Sequence, residues 1–197
     1  MSTHDDLRLT ALAEFSTAGY MGTSLQRIAE LAGLSKSSVL YHFSSKEALL
    51  EATLDPAIEA IGVVLGSMAG ATRSVERRHA FIADFVDCML AYRLEMNIFI
   101  NQSRALVDIP VIEKANGVIA GIAEYFVAQE LTLEQKMRFG VALGGAAYTL
   151  AVGADFDGTG TAAVDTTESV DELRVALITI MTELLDPIPV RPSLPVE

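Results

Sequence analysis

The chain has 197 residues, of which 51% are hydrophobic and six are proline, so it can bury a core and is not expected to be disordered except at its ends. Its formal net charge of −12 argues at first sight against a nucleic-acid-binding protein. A single cysteine, Cys88, excludes an internal disulfide framework, and the first residues lack the basic and apolar runs of a signal peptide. These features predict a protein of the reducing cytoplasm.

The acidic charge is concentrated in the second part of the chain. Residues 1–50 carry four basic and five acidic side chains, whereas residues 51–197 carry nearly all of the net negative charge. The objection to DNA therefore applies to the second part. The first part would have to contact phosphates through hydroxyls and helix N-termini as well as through Lys and Arg.

The first predicted helices form a compact N-terminal unit. Residues 5–18 show apolar side chains at helical spacing, and Gly19 ends the helix. Thr23 and Gln26 form a capping-box pattern that predicts a second helix up to Ala32. Gly33 then supplies the left-handed residue that a tight turn requires.

A third predicted helix follows at once. Ser35 is a good N-cap for a helix over residues 36–42, in which Val39, Leu40 and Phe43 are expected to point inward. The side chains left facing outward are short and polar or aromatic: Lys36, Ser37, Ser38, Tyr41 and His42. Two short helices joined by a glycine-containing turn indicate a helix-turn-helix, whose second helix can enter the major groove of DNA.

The sequence of this region resembles the DNA-binding signature of the TetR (AcrR-type) family of bacterial transcriptional regulators. The resemblance rests on residues 22–50, GTSLQRIAELAGLSKSSVLYHFSSKEALL, and covers roughly the first quarter of the chain. It implies an all-α protein of about nine helices, with a three-helix DNA-binding domain at 1–50 and a larger ligand-binding and dimerisation domain at 51–197. It also implies a homodimer that binds palindromic operator DNA and is released by a small effector.

The expected DNA contacts are divided by chemistry. Thr23 or Ser24, near a helix N-terminus, should contact phosphate, and Lys36, Ser37 and Ser38 should reach base edges. Tyr41, His42 and Lys46 should hold the flanking backbone of the DNA.

Helices continue through the rest of the chain. Ser44 and Glu47 predict a capped helix that should kink or restart at Asp55–Pro56, either as a functional hinge or as a simple helix boundary. Further helices are predicted at 56–69, 74–93, 97–106, 110–129, 132–154 and 169–185. A Gly- and Thr-rich loop at 155–167 separates the last two helices, and a proline-rich tail follows residue 186.

Small and apolar residues on the last two predicted helices indicate a dimer interface. The helix over 132–154 carries small residues three or four apart, which would allow another helix to approach closely. The alternative is that this helix is the buried centre of a monomer. The predicted interface consists of Gly140, Gly144, Ala147, Ala151, Leu173, Leu177, Ile180 and Met181.

Aromatic and methionine residues between 81 and 148 are candidates for an effector site. The resemblance implies a pocket here, and this lining suits a small, largely apolar ligand. Plain core packing is the alternative for each residue. The candidates are Phe81, Phe85, Met89, Tyr92, Phe99, Gln102, Tyr125 and Tyr148.

The sequence offers no constellation for catalysis. The three histidines are scattered, and no phosphate-binding loop or nucleophile motif occurs, so neither an enzyme nor a metal or other cofactor is predicted. No partner in a membrane is expected. Three alternatives remain open: an activator, a regulator controlled by a partner protein, and a small helical enzyme or carrier. The sequence does not identify the effector, the operator or the regulated genes.

Overall fold

The computed structural model describes residues 2–129, 131–152 and 170–186, and these are all-α, with no strand among them. Within these ranges nine α-helices have seven residues or more, as predicted, and there is also a short α-helix and a 3₁₀ segment (Ser103–Leu106). The α-helices are α1 (Thr3–Thr17), α2 (Leu25–Leu31), α3 (Lys36–His42), α4 (Lys46–Gly66), α5 (Met68–Ala71), α6 (Val75–Ala91), α7 (Arg93–Gln102), α8 (Pro110–Ala128), α9 (Leu133–Val152) and α10 (Val170–Leu185).

These elements form two compact units. The first comprises Met1–Glu59 with Tyr92–Gly117, and the second comprises Ala60–Ala91 with Val118–Glu197. The predicted boundary after residue 50 falls inside α4. In addition, α7, which was predicted in the second domain, belongs to the same compact unit as the first three helices. The assignment of DNA binding to 1–50 and of ligand binding and dimerisation to 51–197 stays a prediction.

The core of the first unit is built by the inward faces of short helices. Leu7 and Phe15 of α1, Ile28 of α2, Val39 of α3 and Leu49 of α4 are all fully buried. Because a seven-residue helix is marginal by itself, α2 and α3 depend on these contacts and on their caps.

Helix α4 runs without a break from Lys46 to Gly66, with Pro56 inside it. The predicted restart at Asp55 is therefore wrong. Pro56 removes one backbone hydrogen bond, but the buried neighbours Leu54, Ala57 and Ile58 hold both sides of it in the core.

The second unit is organised around α6. Its buried face contacts α5, α9 and α10, and consists of Phe81, Ile82, Phe85, Val86 and Met89. Val75, at the first position of the helix, is exposed.

A fully buried arginine ties together the ends of two helices in this unit. Arg78 donates from Nε to the carbonyl of Ala71 at 3.0 Å and from Nη1 to that of Leu185 at 2.6 Å. The last carbonyls of a helix lack partners within the helix, so Arg78 satisfies groups at the ends of α5 and α10.

Several predicted helix starts are confirmed and others move by one residue. Thr132 and Gln135 form a capping box at the predicted start of α9, with reciprocal distances of 2.9 and 3.2 Å. For α4 the capping hydroxyl belongs to Ser45, which accepts from Ala48 N–H at 3.1 Å, and not to Ser44. The predicted loop at 155–167, Ser169 and the tail after residue 186 lie outside the described residues. Among the helices that are described, none is both long and apolar enough to span a bilayer.

Candidate nucleic-acid interface

The turn between α2 and α3 has the geometry expected of a helix-turn-helix. Gly33 adopts a φ of +68°, the left-handed conformation predicted for it. The N–H of Leu34 donates to Ala29 at 2.8 Å and the N–H of Gly33 donates to Glu30 at 3.1 Å. This pair of bonds is the Schellman arrangement, which closes α2 and fixes the direction in which α3 leaves.

Helix α3 begins at the predicted cap. The Ser35 hydroxyl accepts from the N–H of Ser38 at 3.1 Å, and it also contacts the hydroxyls of Ser37 at 2.9 Å and Ser38 at 2.8 Å. The first turn of α3 is therefore a cluster of three linked hydroxyls. Each hydroxyl can donate or accept, so the cluster can exchange an internal hydrogen bond for one to a base or phosphate.

The exposed face of α3 differs from the prediction at three residues: Leu40 joins it, whereas Ser38 and His42 are half-buried. Lys36, Ser37 and Tyr41 are exposed as expected, with Tyr41 at 86%. Leu40, predicted to point inward, is 42% exposed, whereas Val39 is fully buried. Successive residues of a helix point about 100° apart, so burying Val39 and not Leu40 decides which face of this short helix is exposed. Leu40 adds an apolar group to a polar face, and such a group can contact the methyl of thymine.

The start of α2 also departs from the prediction. The N-cap is Ser24, whose hydroxyl accepts from the N–H of Arg27 at 3.1 Å. Thr23 is only 3% exposed, and its hydroxyl donates to the carbonyl of Gly19 at 2.8 Å. The predicted Thr23–Gln26 capping box is therefore wrong, and Thr23 is not available for a phosphate contact. Ser24 is exposed and keeps that possibility.

Lys46 is held inside the first unit. Its Nζ donates to the carbonyls of Tyr20 and Thr23, both at 2.9 Å, and lies 4.1 Å from the centroid of the Tyr20 ring. Burial lowers the pKa of Lys46 and raises the pKa of Tyr20 to about 12. This placement gives Lys46 a structural task that the sequence did not predict, and it counts against Lys46 as a contact to DNA.

Aromatic side chains join the N-terminus of α1 to the end of α3. The ring of His4 lies 4.5 Å from that of Phe43 and 6.4 Å from that of His42. Tyr41 and His42 contact edge to face at 5.3 Å. His42 is thus placed at the end of the exposed face, with His4 beside it.

The predicted effector residues lie in different surroundings. Phe81, Phe85 and Met89 are buried on α6, Tyr125 contacts the hydroxyl of Thr72 at 2.8 Å, and Tyr148 is 59% exposed on α9. These five belong to the second unit, whereas Tyr92, Phe99 and Gln102 belong to the first.

Gln102 does not present a free amide for a ligand. Its Oε1 accepts from the N–H of Tyr20 at 2.7 Å and its Nε2 donates to the carbonyl of Phe15 at 2.8 Å. Both halves of the amide are therefore bonded within the first unit, which is a departure from the predicted effector contact.

The predicted dimer residues divide into an exposed and a buried set. Gly140, Gly144 and Ile180 are exposed, and Ala147 and Leu173 are half-buried. Ala151, Leu177 and Met181 are buried within the second unit, where α10 contacts α6 and α9.

The buried set is therefore not available to a partner, which corrects the prediction for these three residues. Apolar side chains of α9 and α10 outside the predicted set are exposed as well, among them Met137, Val141, Tyr148 and Val175.

The Schellman turn and the capped α3 define α2 and α3 as a helix-turn-helix, a motif typical of DNA-binding proteins. Residues 8–53 match the family profile described as bacterial regulatory proteins, tetR family. Over 44 residues the chain is 59% identical to the HTH-type transcriptional regulator RutR of Escherichia coli K12. That match covers 22% of this chain and 21% of RutR, so the aligned segment spans about a fifth of the curated relative.

Solved structures resemble the chain over nearly its whole length. The ketosteroid transcriptional regulator KstR2 of Mycobacterium tuberculosis has a TM-score of 0.66 at 14% identity, with 96% of each chain covered. The fatty acid degradation regulator FadR from Bacillus halodurans has a TM-score of 0.61 at 16% identity, with 97% of this chain and 98% of that chain covered. Identities this low show a shared fold. The match to the tetR family profile is confined to residues 8–53.

Proposed function

We propose that the protein is a transcriptional repressor that binds palindromic operator DNA as a homodimer and leaves it when a small, largely apolar effector binds. A regulator of this kind works in the bacterial cytoplasm. The observation that carries the proposal is the exposed face of α3, where linked serine hydroxyls, Lys36 and Leu40 are presented behind a fixed turn.

The proposed contacts follow from exposure and chemistry. Ser24, at the N-terminus of α2, takes a phosphate, because the unpaired N–H groups of a helix N-terminus favour an anion. Lys36, Ser37 and Ser38 reach base edges, and Leu40 contacts a thymine methyl. Tyr41 and His42 hold the sugar–phosphate backbone beside the groove.

A second copy of the chain supports binding because one seven-residue helix reads few base pairs. Two copies related by a two-fold axis read both halves of a palindrome. The exposed apolar side chains of α9 and α10, among them Val141 and Ile180, together with the exposed Gly140 and Gly144, support a helix-to-helix contact between copies.

The proposed effector is apolar for two reasons. Two aromatic side chains and a methionine, Phe81, Phe85 and Met89, lie on the buried face of α6. Two regulators with this fold are named for ketosteroids and for fatty acid degradation, both chemically apolar classes. Release requires that the effector bind the DNA-incompetent arrangement more tightly than the competent one.

DNA recognition can be tested by selecting fragments from a random pool with the wild-type protein. A palindromic consensus should emerge, and Ser37→Ala and Leu40→Ala should each change the preferred bases. Thr17→Ala, which removes an exposed hydroxyl from α1, is the matched control and should select the wild-type consensus. A wild-type protein that enriches no sequence would contradict the proposal.

The homodimer has its own test. Val141→Asp should give a monomer in analytical ultracentrifugation and should bind a whole palindrome no better than half of one. Val127→Asp, on α8, changes a valine that is at least as exposed and should leave the dimer intact. Dimers in both variants would argue against the α9–α10 interface.

Repression and release are tested by transcription from a promoter that contains the selected palindrome. Transcription should fall when the protein is added. Any small molecule that co-purifies with the protein, identified by mass, should restore transcription when added back. A rise in transcription on adding the protein alone would instead identify an activator.

A further inference from the structure

The connection between α1 and α2, residues 18–24, decides where α2 begins. Gly19 adopts a left-handed φ of +77°, Tyr20 and Thr23 are buried, and Ser24 is the N-cap of α2. Helix α2 contacts α3 in turn. A displacement of this connection would therefore move both the proposed phosphate site at Ser24 and the exposed face of α3.

One side-chain amide, from a residue more than eighty positions away, spans this connection. Gln102 accepts the Tyr20 N–H at 2.7 Å and donates to the Phe15 carbonyl at 2.8 Å, so it joins the last part of α1 to the turn. A Cβ atom placed on Gly19 would lie 3.6 Å from Oε1 of Gln102, which shows how closely the amide lies against the backbone.

The same stretch of backbone is held a second time by Lys46. Tyr20 donates its N–H to Gln102 and its carbonyl accepts from Lys46, so one peptide segment is fixed from α7 and from α4. Lys46 also bonds the Thr23 carbonyl, one residue before the cap of α2. The two side chains together leave the connection little freedom to shift.

We propose, on the basis of the DNA-binding function proposed above, that Gln102 is a positioning residue for sequence recognition. It does not contact DNA. Its two hydrogen bonds hold the connection so that Ser24 and the α3 face are arranged before DNA arrives. Binding to a cognate sequence requires both at once, whereas binding to any DNA through phosphates tolerates misalignment.

The chemistry of the amide defines the variants. Gln102→Leu keeps the approximate size and removes both hydrogen bonds. Gln102→Glu keeps the acceptor for Tyr20 but cannot donate to Phe15 when ionised. Asn101→Leu is the matched control, because it removes the amide of the neighbouring, exposed residue on the same helix.

The experiment compares a DNA fragment selected by the wild-type protein with a scrambled fragment of the same length. Gln102→Leu should bind the selected fragment more weakly by on the order of tenfold, because ordering a loosened connection on binding can cost up to the free energy of the two lost hydrogen bonds. Its affinity for the scrambled fragment should change less than about twofold. Gln102→Glu should fall between Gln102→Leu and the wild type, and Asn101→Leu should match the wild type.

Amide hydrogen exchange at Tyr20, measured without DNA, reports the positioning directly. Exchange should be fastest in Gln102→Leu, where the acceptor is lost, and unchanged in Asn101→Leu. Wild-type affinity in Gln102→Leu, or equal losses on both fragments, would overturn the inference. A wild-type protein that selects no sequence would overturn the proposed function itself, and with it the recognition task of Gln102, whatever the exchange rates are.

Discussion

Replacing Lys46 by Met separates a structural lysine from one that contacts phosphate. The substitution keeps the aliphatic stem and removes the ammonium group, which bonds two backbone carbonyls at 2.9 Å and lies over the Tyr20 ring. A hydrogen bond from a charged donor contributes about 1.5–3 kcal/mol when buried. Because Lys46 is only partly buried, water can hydrogen-bond to the two carbonyls in the variant and offset part of the lost stabilisation. We expect the free energy of unfolding to fall by about 2 kcal/mol.

The salt dependence of DNA binding then gives the decisive measurement. A lysine that neutralises one phosphate per subunit contributes about 0.9 to the slope of log K against log salt, or about 1.8 for a dimer. Lys46→Met should weaken binding but leave this slope unchanged, because its charge is used inside the first unit. Lys36→Met removes an exposed charge from α3, which in the proposed complex lies in the groove between phosphates while it reaches a base edge, so this variant should reduce the slope. A slope reduced by about 2 in Lys46→Met would refute the reasoning.

Three further predictions concern stability, measured by denaturant unfolding. Arg78→Met should lower the free energy of unfolding by about 3 kcal/mol, because the carbonyls of Ala71 and Leu185 lose a buried donor; a loss below about 1 kcal/mol would contradict this. Gly33→Ala should cost about 1–2 kcal/mol through backbone conformation alone, since an added Cβ meets nothing within 4 Å. Gly121→Ala, in mid-helix with equally open space, should instead stabilise slightly. Burial raises the pKa of Glu95 above its unfolded value, so the wild type should lose stability as the pH rises from the unfolded pKa through the folded one. Glu95→Gln should remove that loss. If the free energy of unfolding had the same pH dependence in both proteins, the pKa of Glu95 would not be its cause.

Local signals in the sequence predicted most of the first unit. Ser35 and Gly33 stand at positions where only certain residues fit a cap or a left-handed turn, and both were correctly placed. The sequence pattern placed the cap of α2 at Thr23, one residue before the true cap Ser24, because both residues carry a hydroxyl at a suitable spacing. Thr23 is buried beside Tyr20, which leaves Ser24 as the cap, and such burial depends on the whole fold and not on the local sequence.

Contacts between residues far apart in the sequence have no local pattern, such as a cap or a turn glycine, by which they could be predicted. Gln102 bonds residues 82 and 87 positions away, and Arg78 bonds Leu185 at a separation of 107. A polar residue among aromatics looks the same in sequence whether it lines a pocket or supports a turn. The interface prediction failed at Leu177 and Met181 for a related reason: an apolar stripe shows that a face is covered, but not by which helix.

The three linked serines of α3 bear on how exacting the operator is. An arginine that donates two hydrogen bonds to guanine is specific for that base. A hydroxyl can rotate and can donate or accept, so it finds a partner on almost any base edge. On the proposed complex, base pairs opposite Ser37 and Ser38 are therefore preferred by degree and not fixed, and the distance between the two half-sites carries more of the discrimination. Operators of this protein should accordingly differ in base sequence at these positions while the spacing between their half-sites stays constant.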